Sequence, residues 1–192
     1  MKKAFKMLRI IIALVAVMGL AACSNNSTEA EKIYKVGEAG PGGGIVFYDK
    51  GNNSNGWRYL EAAPGNVSAN YISWSSTIKD VTTGTGIGDG KANTAAIIKK
   101  HPGDNKANNA AHACVAYRGP NNLTDWFLPS KDEIYKLYET KGYGTLEFDE
   151  HLSSSQHEIG IDGAWGQDFV GGGQYFLYKD SADFRVRAIR AF

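Results

Sequence analysis

The clearest pattern of apolar and polar positions lies in the stretch Thr124–Glu139. Its apolar run, Trp126-Phe127-Leu128, is too short for a core helix and predicts a buried extended segment, which Pro129 ends. Ser130 stands three residues before Glu133, the spacing of a capping box, in which each side chain accepts a hydrogen bond from the other residue's backbone N–H. The pattern then turns helical and predicts a capped amphipathic helix, with Ile134, Leu137, Tyr138 and Lys141 on its inner face.

Two alanine-rich stretches upstream predict two further helices. The first, about Lys91–Lys100, follows a glycine-rich loop, and we expect Asp89 or a neighbour to cap it. The second, near Asn105–Tyr117, places small residues on one face, so that another helix can approach closely. For this reason Cys114 is predicted to be a buried structural thiol rather than a nucleophile. The predicted inner face of the second helix consists of Ala107, Ala110, Ala111, Cys114 and Val115.

The glycine-rich loop 83–91 invites a phosphate-binding interpretation, which its spacing excludes. A Walker A loop needs a glycine where Thr85 stands and a serine or threonine where Ala92 stands. A dinucleotide fingerprint over Gly84 and Gly86 needs a further glycine where Asp89 stands. We therefore interpret this loop as the structural lead into a helix.

Strand patterns begin near the N-terminus. Ile45–Tyr48 and Trp57–Ala62 flank the turn-forming stretch 49–56 and predict a β-hairpin with a longish loop. Residues 64–80 are predicted to be mostly loop. Three apolar residues in that loop are predicted to anchor it in the core, namely Tyr71, Ile72 and Trp74.

The C-terminal third predicts a three-stranded antiparallel meander after a loop. Gly142–Gly163 is predicted to be this loop, and it contains Ser153-Ser154-Ser155. In the last predicted strand the alternation slips at Ala188-Ile189, which indicates a bulge. The three predicted strands are Ala164–Phe169, Gln174–Lys179 and Phe184–Phe192.

The first 22 residues have the pattern of a lipoprotein signal peptide. A basic start precedes an apolar stretch, Ile10–Leu20, that is too short to span a bilayer. The stretch ends in Leu20-Ala21-Ala22-Cys23, a lipobox, in which the cysteine is acylated before cleavage. The alternative is an ordinary signal peptide with an incidental cysteine. We expect lipidation at Cys23, a tether over residues 23–35, a domain over residues 36–192, and a place in the bacterial envelope, with Ser24 favouring the outer membrane.

Charge and cysteine content restrict the binding partners and the disulfides that can be expected. Without the signal peptide the chain would have 170 residues (192 less 22), with 17 Lys and Arg (21 less 4) against 20 Asp and Glu. Such a chain has no basic excess, so nucleic acid is not an expected partner. If Cys23 is acylated, Cys114 is left without a disulfide partner, and we expect stability to come from packing.

Candidate catalytic and metal-binding groups are sparse. The histidines show no His-Glu-x-x-His spacing and no cysteine pair supports zinc, which leaves Asp162 and Asp168 as a minor candidate for a hard cation. Asp132 and Glu133 are better explained by the dipole of the helix that they begin than by catalysis. We therefore expect no metal, no cofactor and no enzymatic activity. The four histidines are His101, His112, His151 and His157.

Six motifs are spread over most of the chain. They are Gly40–Tyr48, the glycine loop with Lys91–Ala95, Asp125–Glu133, Ser153–Ser155, Ala164-Trp165 and Arg185–Phe192. Together they resemble one known family, DUF1566, also called the Lcl C-terminal domain family, over about residues 36–192. The resemblance implies an α+β, C-type-lectin-like single domain with about three helices, a small mostly antiparallel sheet, paired N- and C-terminal strands and long loops. One departure is His151-Leu152, where members commonly have Tyr-Trp.

Binding is the function that this pattern favours. C-type lectins that bind sugars through calcium carry a Glu-Pro-Asn or Gln-Pro-Asp tripeptide and a Trp-Asn-Asp, and none of these occurs here. Aromatic side chains interleaved with polar ones suit a recognition surface, although strand alternation could instead bury half of them. The predicted ligand-binding residues are Trp165, Gln167, Tyr175, Tyr178, Lys179, Asp180 and Asp183.

The expected function is therefore that of an adhesin-like lipoprotein. The lipid at Cys23 would hold it to the membrane, and the expected ligand is an extracellular or envelope glycan or protein. The alternative is a periplasm-facing structural or assembly lipoprotein that recognises another envelope component.

Overall fold

The computed structural model describes residues 32–140 and 149–192, which form a small α+β domain. Cys23, its tether up to Glu31, Lys141 and residues 142–148 of the predicted loop lie outside these ranges. Within them no helix is both long enough and apolar enough to cross a bilayer. The described elements are β1 (Ile45–Ser54), β2 (Trp57–Ala62), α1 (Gly90–Lys100), α2 (Ala110–Ala116), α3 (Lys131–Glu139), β3 (Glu150–Gln156), β4 (Gly163–Asp168), β5 (Gln174–Tyr178) and β6 (Ile189–Ala191).

The N-terminal hairpin is longer than its sequence predicts. β1 continues to Ser54, and the turn that follows, Asn55-Gly56, has positive φ angles of 56° and 77°. Two such residues form the two-residue turn whose twist matches that of a hairpin. The predicted strand Trp57–Ala62 is confirmed, but the prediction of a longish loop over residues 49–56 is wrong. Pairing with β2 overrides the turn propensity of these residues, at the cost of an irregular register between Asp49 and Ser54.

The C-terminal strand joins this first sheet. β6 pairs with β2 in antiparallel fashion, which gives the strand order β1-β2-β6. The first and last strands of the described residues therefore share a sheet. The predicted pairing of Ile45–Tyr48 with Arg185–Phe192 is nevertheless wrong in detail, because β2 lies between β1 and β6.

The second sheet corrects the predicted meander. Strands β4 and β5 confirm two of its members, but their sheet has the order β3-β4-β5 and β6 belongs elsewhere. Residues 184–188 do not form a continuous strand with β6. Phe184 and Arg185 make isolated bridges to Ile72 and His151, and the chain is irregular up to Ile189, so there is no bulge in a longer strand.

Strand β3 occupies part of the stretch that was predicted to be loop. Ser153, Ser154 and Ser155 are fully buried in it, and their polar atoms have partners. The Ser155 hydroxyl donates to the carbonyl of Gly84 at 2.7 Å, and the Asn93 amide donates to Ser154 Oγ at 3.1 Å. Buried hydroxyl groups are tolerated when they are hydrogen-bonded in this way. These bonds fasten the glycine-rich loop and α1 to the second sheet.

The two alanine-rich helices differ in how well their bounds were predicted. α1 confirms the first, and Asp89 is its N-cap residue, although the carboxylate accepts from the N–H of Gly86 and not from the helix. α2 is shorter than predicted, because the side chain of Asn109 accepts from the N–H of His112 at 3.1 Å and caps the helix there. Ala107 consequently lies outside the helix and is exposed.

The predicted capping box at α3 is confirmed. The Ser130 N–H donates to Glu133 Oε2 at 2.7 Å, and the Glu133 N–H donates to Ser130 Oγ at 3.3 Å. The same two side chains also hold the glycine-rich loop. The Ser130 hydroxyl donates to the carbonyl of Gly86 at 2.8 Å, and Glu133 Oε1 accepts from the N–H of Gly88 at 2.9 Å. The loop therefore wraps around the N-terminus of α3, as its structural interpretation requires.

Replacing Ser130 with alanine is expected to lower the free energy of unfolding by about 1 kcal/mol, the usual cost of losing an N-cap hydroxyl. Urea unfolding measures this change. Ser130→Thr keeps a hydroxyl and is expected to retain more of the stability. Ser130 lies outside the candidate ligand surface, so ligand binding should not change. A folded Ser130→Ala protein that loses its ligand would place the binding site near α3.

The core lies between the two sheets and the helices in two clusters. Trp74, Trp126 and Leu128 belong to the larger one and are fully buried, as the sequence predicts. Cys114 is also confirmed as a buried thiol, and burial raises its pKa far above the ordinary value. Tyr71 is not a core anchor, because 44% of its surface is exposed and its hydroxyl donates to the carboxylate of Asp149.

A buried ion pair joins the two ends of the domain. Glu61, on β2, is fully buried, and Arg190, on β6, donates to it at 3.1 Å. The Glu61 carboxylate also accepts from the backbone N–H groups of Gly42 and Gly44, at 2.9 and 2.7 Å. Arg190 makes a second, bidentate contact with Asp125 at 2.9 and 2.7 Å. The N-terminal glycine-rich turn, the Asp125 segment and the last strand thus meet around the Glu61–Arg190 ion pair.

Candidate functional site

Strands β4 and β5 place four sequence positions on one face of the second sheet. Gly163 pairs with Tyr178, and Trp165 pairs with Phe176. Because side chains alternate along a strand, these four residues face away from the core that Ala164 and its partner fill on the other side. A Cβ atom on Gly163 would lie 2.1 Å from the Phe176 ring, so the ring rests directly on this glycine.

We define the aromatic face as Trp165, Phe176 and Tyr178 together with His157. The Phe176 and Tyr178 rings meet edge to face, with centroids 5.0 Å apart. His157 lies between the strands' aromatic side chains, 4.1 Å from the Trp165 ring and 5.3 Å from the Phe176 ring. Edge-to-face and offset contacts of this kind stabilise aromatic pairs beyond the area that they bury. The cluster is therefore a well-ordered surface.

The loop between β3 and β4 extends this face with apolar side chains. Ile159 is 81% exposed, Ile161 is 53% exposed, and Tyr178 is 58% exposed. The Lys179 N–H donates to the carbonyl of Asp162 at 2.9 Å, which brings this loop to the Tyr178 end of β5. The Ile159 N–H donates to His157 Nδ1 at 3.1 Å, which holds the loop against the aromatic cluster. Exposed apolar side chains that stand together, unlike isolated ones, indicate an interaction surface.

Trp165 supports this face but is itself occupied. The Lys131 ammonium lies 3.3 Å from the centre of the indole ring, and the His157 ring lies 4.1 Å from it. Two groups so close to the ring centre cannot share one side of the ring, so both sides are covered. The indole N–H donates to Glu158 Oε2 at 3.0 Å. A ligand therefore meets the edge of Trp165 and the side chains around it.

Carboxylates border the aromatic face, and one of them, Glu158, accepts from the Trp165 indole. Glu158, Asp180 and Asp183 are exposed, and Asp162 is half-buried. Hydrogen bonding to its own backbone N–H, and in smaller part to the Trp165 indole, lowers the pKa of Glu158, so it is charged at neutral pH. The surface thus combines an apolar centre with an acidic rim.

The predicted ligand-binding residues do not all reach this surface. Trp165 and Tyr178 lie on it, and Asp180 and Asp183 are exposed in the segment that follows β5. Tyr175 is half-buried and packs against the larger core cluster on the opposite side of the sheet. Gln167 and Lys179 are fully buried and bond within the protein.

The buried ammonium group of Lys179 is compensated by contacts within the protein. It donates to the carbonyl of Lys79 at 2.9 Å and to Gln156 Oε1 at 2.5 Å, and it lies 4.5 Å from the Trp74 ring centre. Desolvation lowers the pKa of Lys179 to about 8. The residue fastens the end of β5 to β3 and to the preceding loop, so it supports the aromatic face from below.

A groove of about 720 Å³ lies elsewhere on the domain, between the N-terminal hairpin and α1. Trp57 forms one wall, with the Lys50 ammonium 3.7 Å from its ring centre, and Leu60 and Phe127 line the floor. The buried carboxyl of Glu133 also lines it, and burial raises the pKa of this group to about 7. None of the predicted ligand-binding residues lines this groove.

Metal ligands do not cluster in the described ranges: no group of three or more His, Cys, Asp or Glu side chains there could hold a metal ion. His101 and His151 are buried, and Asp168 binds the backbone N–H groups of Val170 and Gly171 at 2.6 and 2.9 Å. Asp162 stands at the acidic rim described above.

Several residues of the surface were not predicted from sequence. Phe176 could have been found, because it alternates with Tyr178 along the strand. Ile159 and Ile161 were hidden in a stretch predicted as loop, where an apolar residue carries no periodic signal. Lys131 and His157 approach Trp165 only through the tertiary fold.

The geometry defines a small α+β domain that carries an exposed aromatic and apolar surface with an acidic rim. Among protein-family models and curated proteins, no match to this chain is found.

Proposed function

We propose that the protein is a surface or envelope lipoprotein whose single C-type-lectin-like domain binds a macromolecular ligand, as an adhesin does. The observation that carries the proposal is the exposure of Tyr178 on the aromatic face together with that of Ile159 and Ile161 on the adjoining loop. These side chains stand on rigid strands and a hydrogen-bonded loop, so little conformational entropy is lost when a ligand covers them.

The shape of the surface favours a large ligand over a small one. The aromatic face is presented by the outer side of a sheet, whereas small-molecule sites are concave and enclose their ligand. Its apolar centre and charged rim match the usual anatomy of an interface between macromolecules. A protein or a glycan chain of the cell envelope or the cell exterior suits this geometry.

The C-type-lectin-like fold is part of the proposal. In its favour, β6 returns to the sheet of the N-terminal hairpin, and residues 63–89 contain no helix or named strand. The first and last motifs of the family resemblance, Gly40–Tyr48 and Arg185–Phe192, meet at Glu61. An enzymatic role finds little support, since the thiol of Cys114 is buried and far from any surface reagent.

Binding is tested with a double serine variant. Replacing both Ile159 and Tyr178 with serine is expected to weaken binding by about tenfold or more, since exposed anchor residues each contribute about 1 kcal/mol or more. Ile33→Ser is the matched control, because Ile33 is also exposed (59%) but lies near the N-terminal edge of the domain. The full-length chain in detergent would be applied to glycan and matrix-protein arrays. A folded protein that binds nothing on either array would contradict the adhesin function.

A separate experiment tests which side of the membrane the domain faces. A protease added to intact cells is expected to cleave an outward-facing domain. Protection in intact cells, with cleavage after the envelope is opened, would instead support the periplasm-facing structural or assembly lipoprotein.

A further inference from the structure

Strand β5 forms one edge of the second sheet, and we propose that this edge pairs with β5 of a second copy of the chain. The inference goes beyond ligand binding, because it concerns the edge of the sheet and not its aromatic face. It rests on the backbone groups of β5, on its uncharged side chains and on the state of the other sheet edges.

The backbone of β5 presents unused hydrogen-bonding groups outward. The Asp168 N–H donates to the carbonyl of Gly173, and the Lys179 N–H donates to the carbonyl of Asp162, both at 2.9 Å. These two bonds lie at either end of β5 and follow the register of its pairing with β4. In an antiparallel pair only every second residue bonds to the partner strand, so Tyr175 and Leu177 are the residues of β5 that bond to β4. The other residues of β5, Gln174, Phe176 and Tyr178, therefore direct N–H and C=O groups away from the sheet. Within the described ranges the one additional backbone bond on this edge runs from the Ser181 N–H to the Tyr178 carbonyl.

The other described sheet edges are either covered or irregular. β1 is bridged at its start by Ala39, and its outer part contains Lys50 and has an irregular register with β2. β6 is bridged to Phe127. β3 is bridged to Arg185, and the N–H of Ser154 donates to the carbonyl of Pro129 at 2.7 Å. Natural edges that stay unpaired are protected by lysine, proline or a bulge. β5 has none of these over Gln174–Tyr178, and its pairing with β4 is regular throughout.

The side chains of β5 suit a second copy of the same strand. In an antiparallel pair centred on Phe176, this residue faces its own counterpart, and Gln174 faces Tyr178 of the other copy. All five side chains of β5 are uncharged, so no like charges oppose each other, and a cross-strand aromatic pair is favourable. Asp180 would lie opposite Gly172 of the other copy, so the acidic ends stay apart. A two-fold axis of this kind is the commonest symmetry of protein pairs.

Such a pair has a consequence for recognition. The two second sheets would join into one sheet of six strands, and the two aromatic faces would become continuous. A ligand with repeated epitopes could then bind both copies at once, which raises the overall affinity without a new contact.

Cysteine cross-linking tests the pair and its register in the full-length chain in cell envelopes. Directly opposed residues of a hydrogen-bonded pair have Cα atoms about 5.5 Å apart, which suits a disulfide. Phe176→Cys is therefore expected to give a disulfide-linked dimer with copper-phenanthroline on a non-reducing gel. Asp180→Cys is the control, since its side chain is more exposed but has no counterpart at its own position. The amount of disulfide-linked dimer from Asp180→Cys is expected to equal that from the unaltered chain.

A backbone substitution gives an independent test. Phe176→Pro removes an outward N–H, which a folded edge strand tolerates, and is expected to abolish the dimer in sedimentation of the detergent-solubilised chain. Phe176→Val keeps the N–H and is expected to retain the dimer. The proposal is overturned if Phe176→Cys cross-links no more than Asp180→Cys, or if it cross-links to a different protein. Should Phe176→Pro fail to fold, the cross-linking result decides.

Discussion

Replacing Glu61 with alanine is expected to lower the free energy of unfolding by about 3–5 kcal/mol, the cost of breaking a buried ion pair by removing one partner. The Glu61 carboxylate accepts hydrogen bonds from Gly42, Gly44 and Arg190, at distances between 2.7 and 3.1 Å. Alanine leaves two backbone N–H groups and part of a buried guanidinium without an acceptor. Urea unfolding followed by tryptophan fluorescence measures the loss.

A surface ion pair on the same hairpin supplies the control. Asp49 binds Arg58 with two hydrogen bonds, at 2.8 and 2.9 Å, but both side chains are partly exposed. Exposed pairs contribute about 0–1 kcal/mol, so Asp49→Ala is expected to change the stability little. Equal losses for Glu61→Ala and Asp49→Ala would show that burial does not strengthen the Glu61 network.

The Glu61 network also explains why the first motif consists of glycines. A Cβ atom on Gly44 would lie 1.8 Å from the carbonyl oxygen of Ala62, so any side chain there would push the turn off β2. Gly43 has a φ angle of +81°, which L-residues with side chains rarely adopt. The glycines allow the backbone to approach the carboxylate closely enough for its N–H groups to bind it.

Local interactions could be predicted from the sequence. The capping box of Ser130 and Glu133 involves residues three apart, and the helix after it has a periodic inner face. The hairpin strand Trp57–Ala62 likewise has its partner close by in the chain. In each case the stabilising contacts lie within a few residues of one another, so a short window of sequence contains both partners.

Non-local interactions could not be predicted in this way. Ser153, Ser154 and Ser155 have the composition of a loop, and what makes them a buried strand is bonding to Gly84 and Asn93, more than sixty residues earlier. β6 has a strand pattern, but no local signal shows that its partner is β2. The predicted meander failed because β6, the next strand after β5 in the chain, pairs with β2 and not with β5.

The candidate surface also combines features set by local sequence with features set by distant contacts. Strand alternation was expected to bury some of the candidate residues, and it separates Trp165 and Tyr178 on one face from Tyr175 on the other. Lys179 has the polarity of a surface residue, but the loop that contains Lys79 covers it and supplies its hydrogen bond. The exposure of Ile159 and Ile161 depends on how the loop between β3 and β4 folds back, and no periodicity in the sequence encodes that.

The buried carboxyl of Glu133 is expected to make the stability of the domain depend strongly on pH. Burial raises the pKa of this carboxyl from 4.5 to about 7, against the opposing effect of the N–H groups of Ser130 and Gly88 that bind it. Between these two pH values the folded protein holds a proton that the unfolded chain has released. Stability therefore falls as the pH rises through this window, by about 3 kcal/mol, since one pKa unit corresponds to about 1.4 kcal/mol.

His151 has the opposite effect on stability. Burial lowers its pKa from 6.5 to about 4, so between these values the unfolded chain binds a proton that the folded protein does not. This group makes stability rise with pH by a similar amount, about 3 kcal/mol over that window. Between about pH 4.5 and 6.5 the two contributions nearly cancel, and the unaltered protein is expected to show a nearly flat profile from these two groups.

Glu133→Gln is expected to reveal the contribution of His151. The variant removes the falling contribution, so its stability should rise from pH 4.5 to 6.5 and then stay level. Because every other titrating group is shared, the stability of the unaltered protein relative to the variant should fall by about 3 kcal/mol between pH 4.5 and 8. Urea unfolding at half-unit pH steps measures this difference. A difference that stays constant with pH would mean that Glu133 ionises at its ordinary pKa, and that its two backbone N–H bonds outweigh its burial.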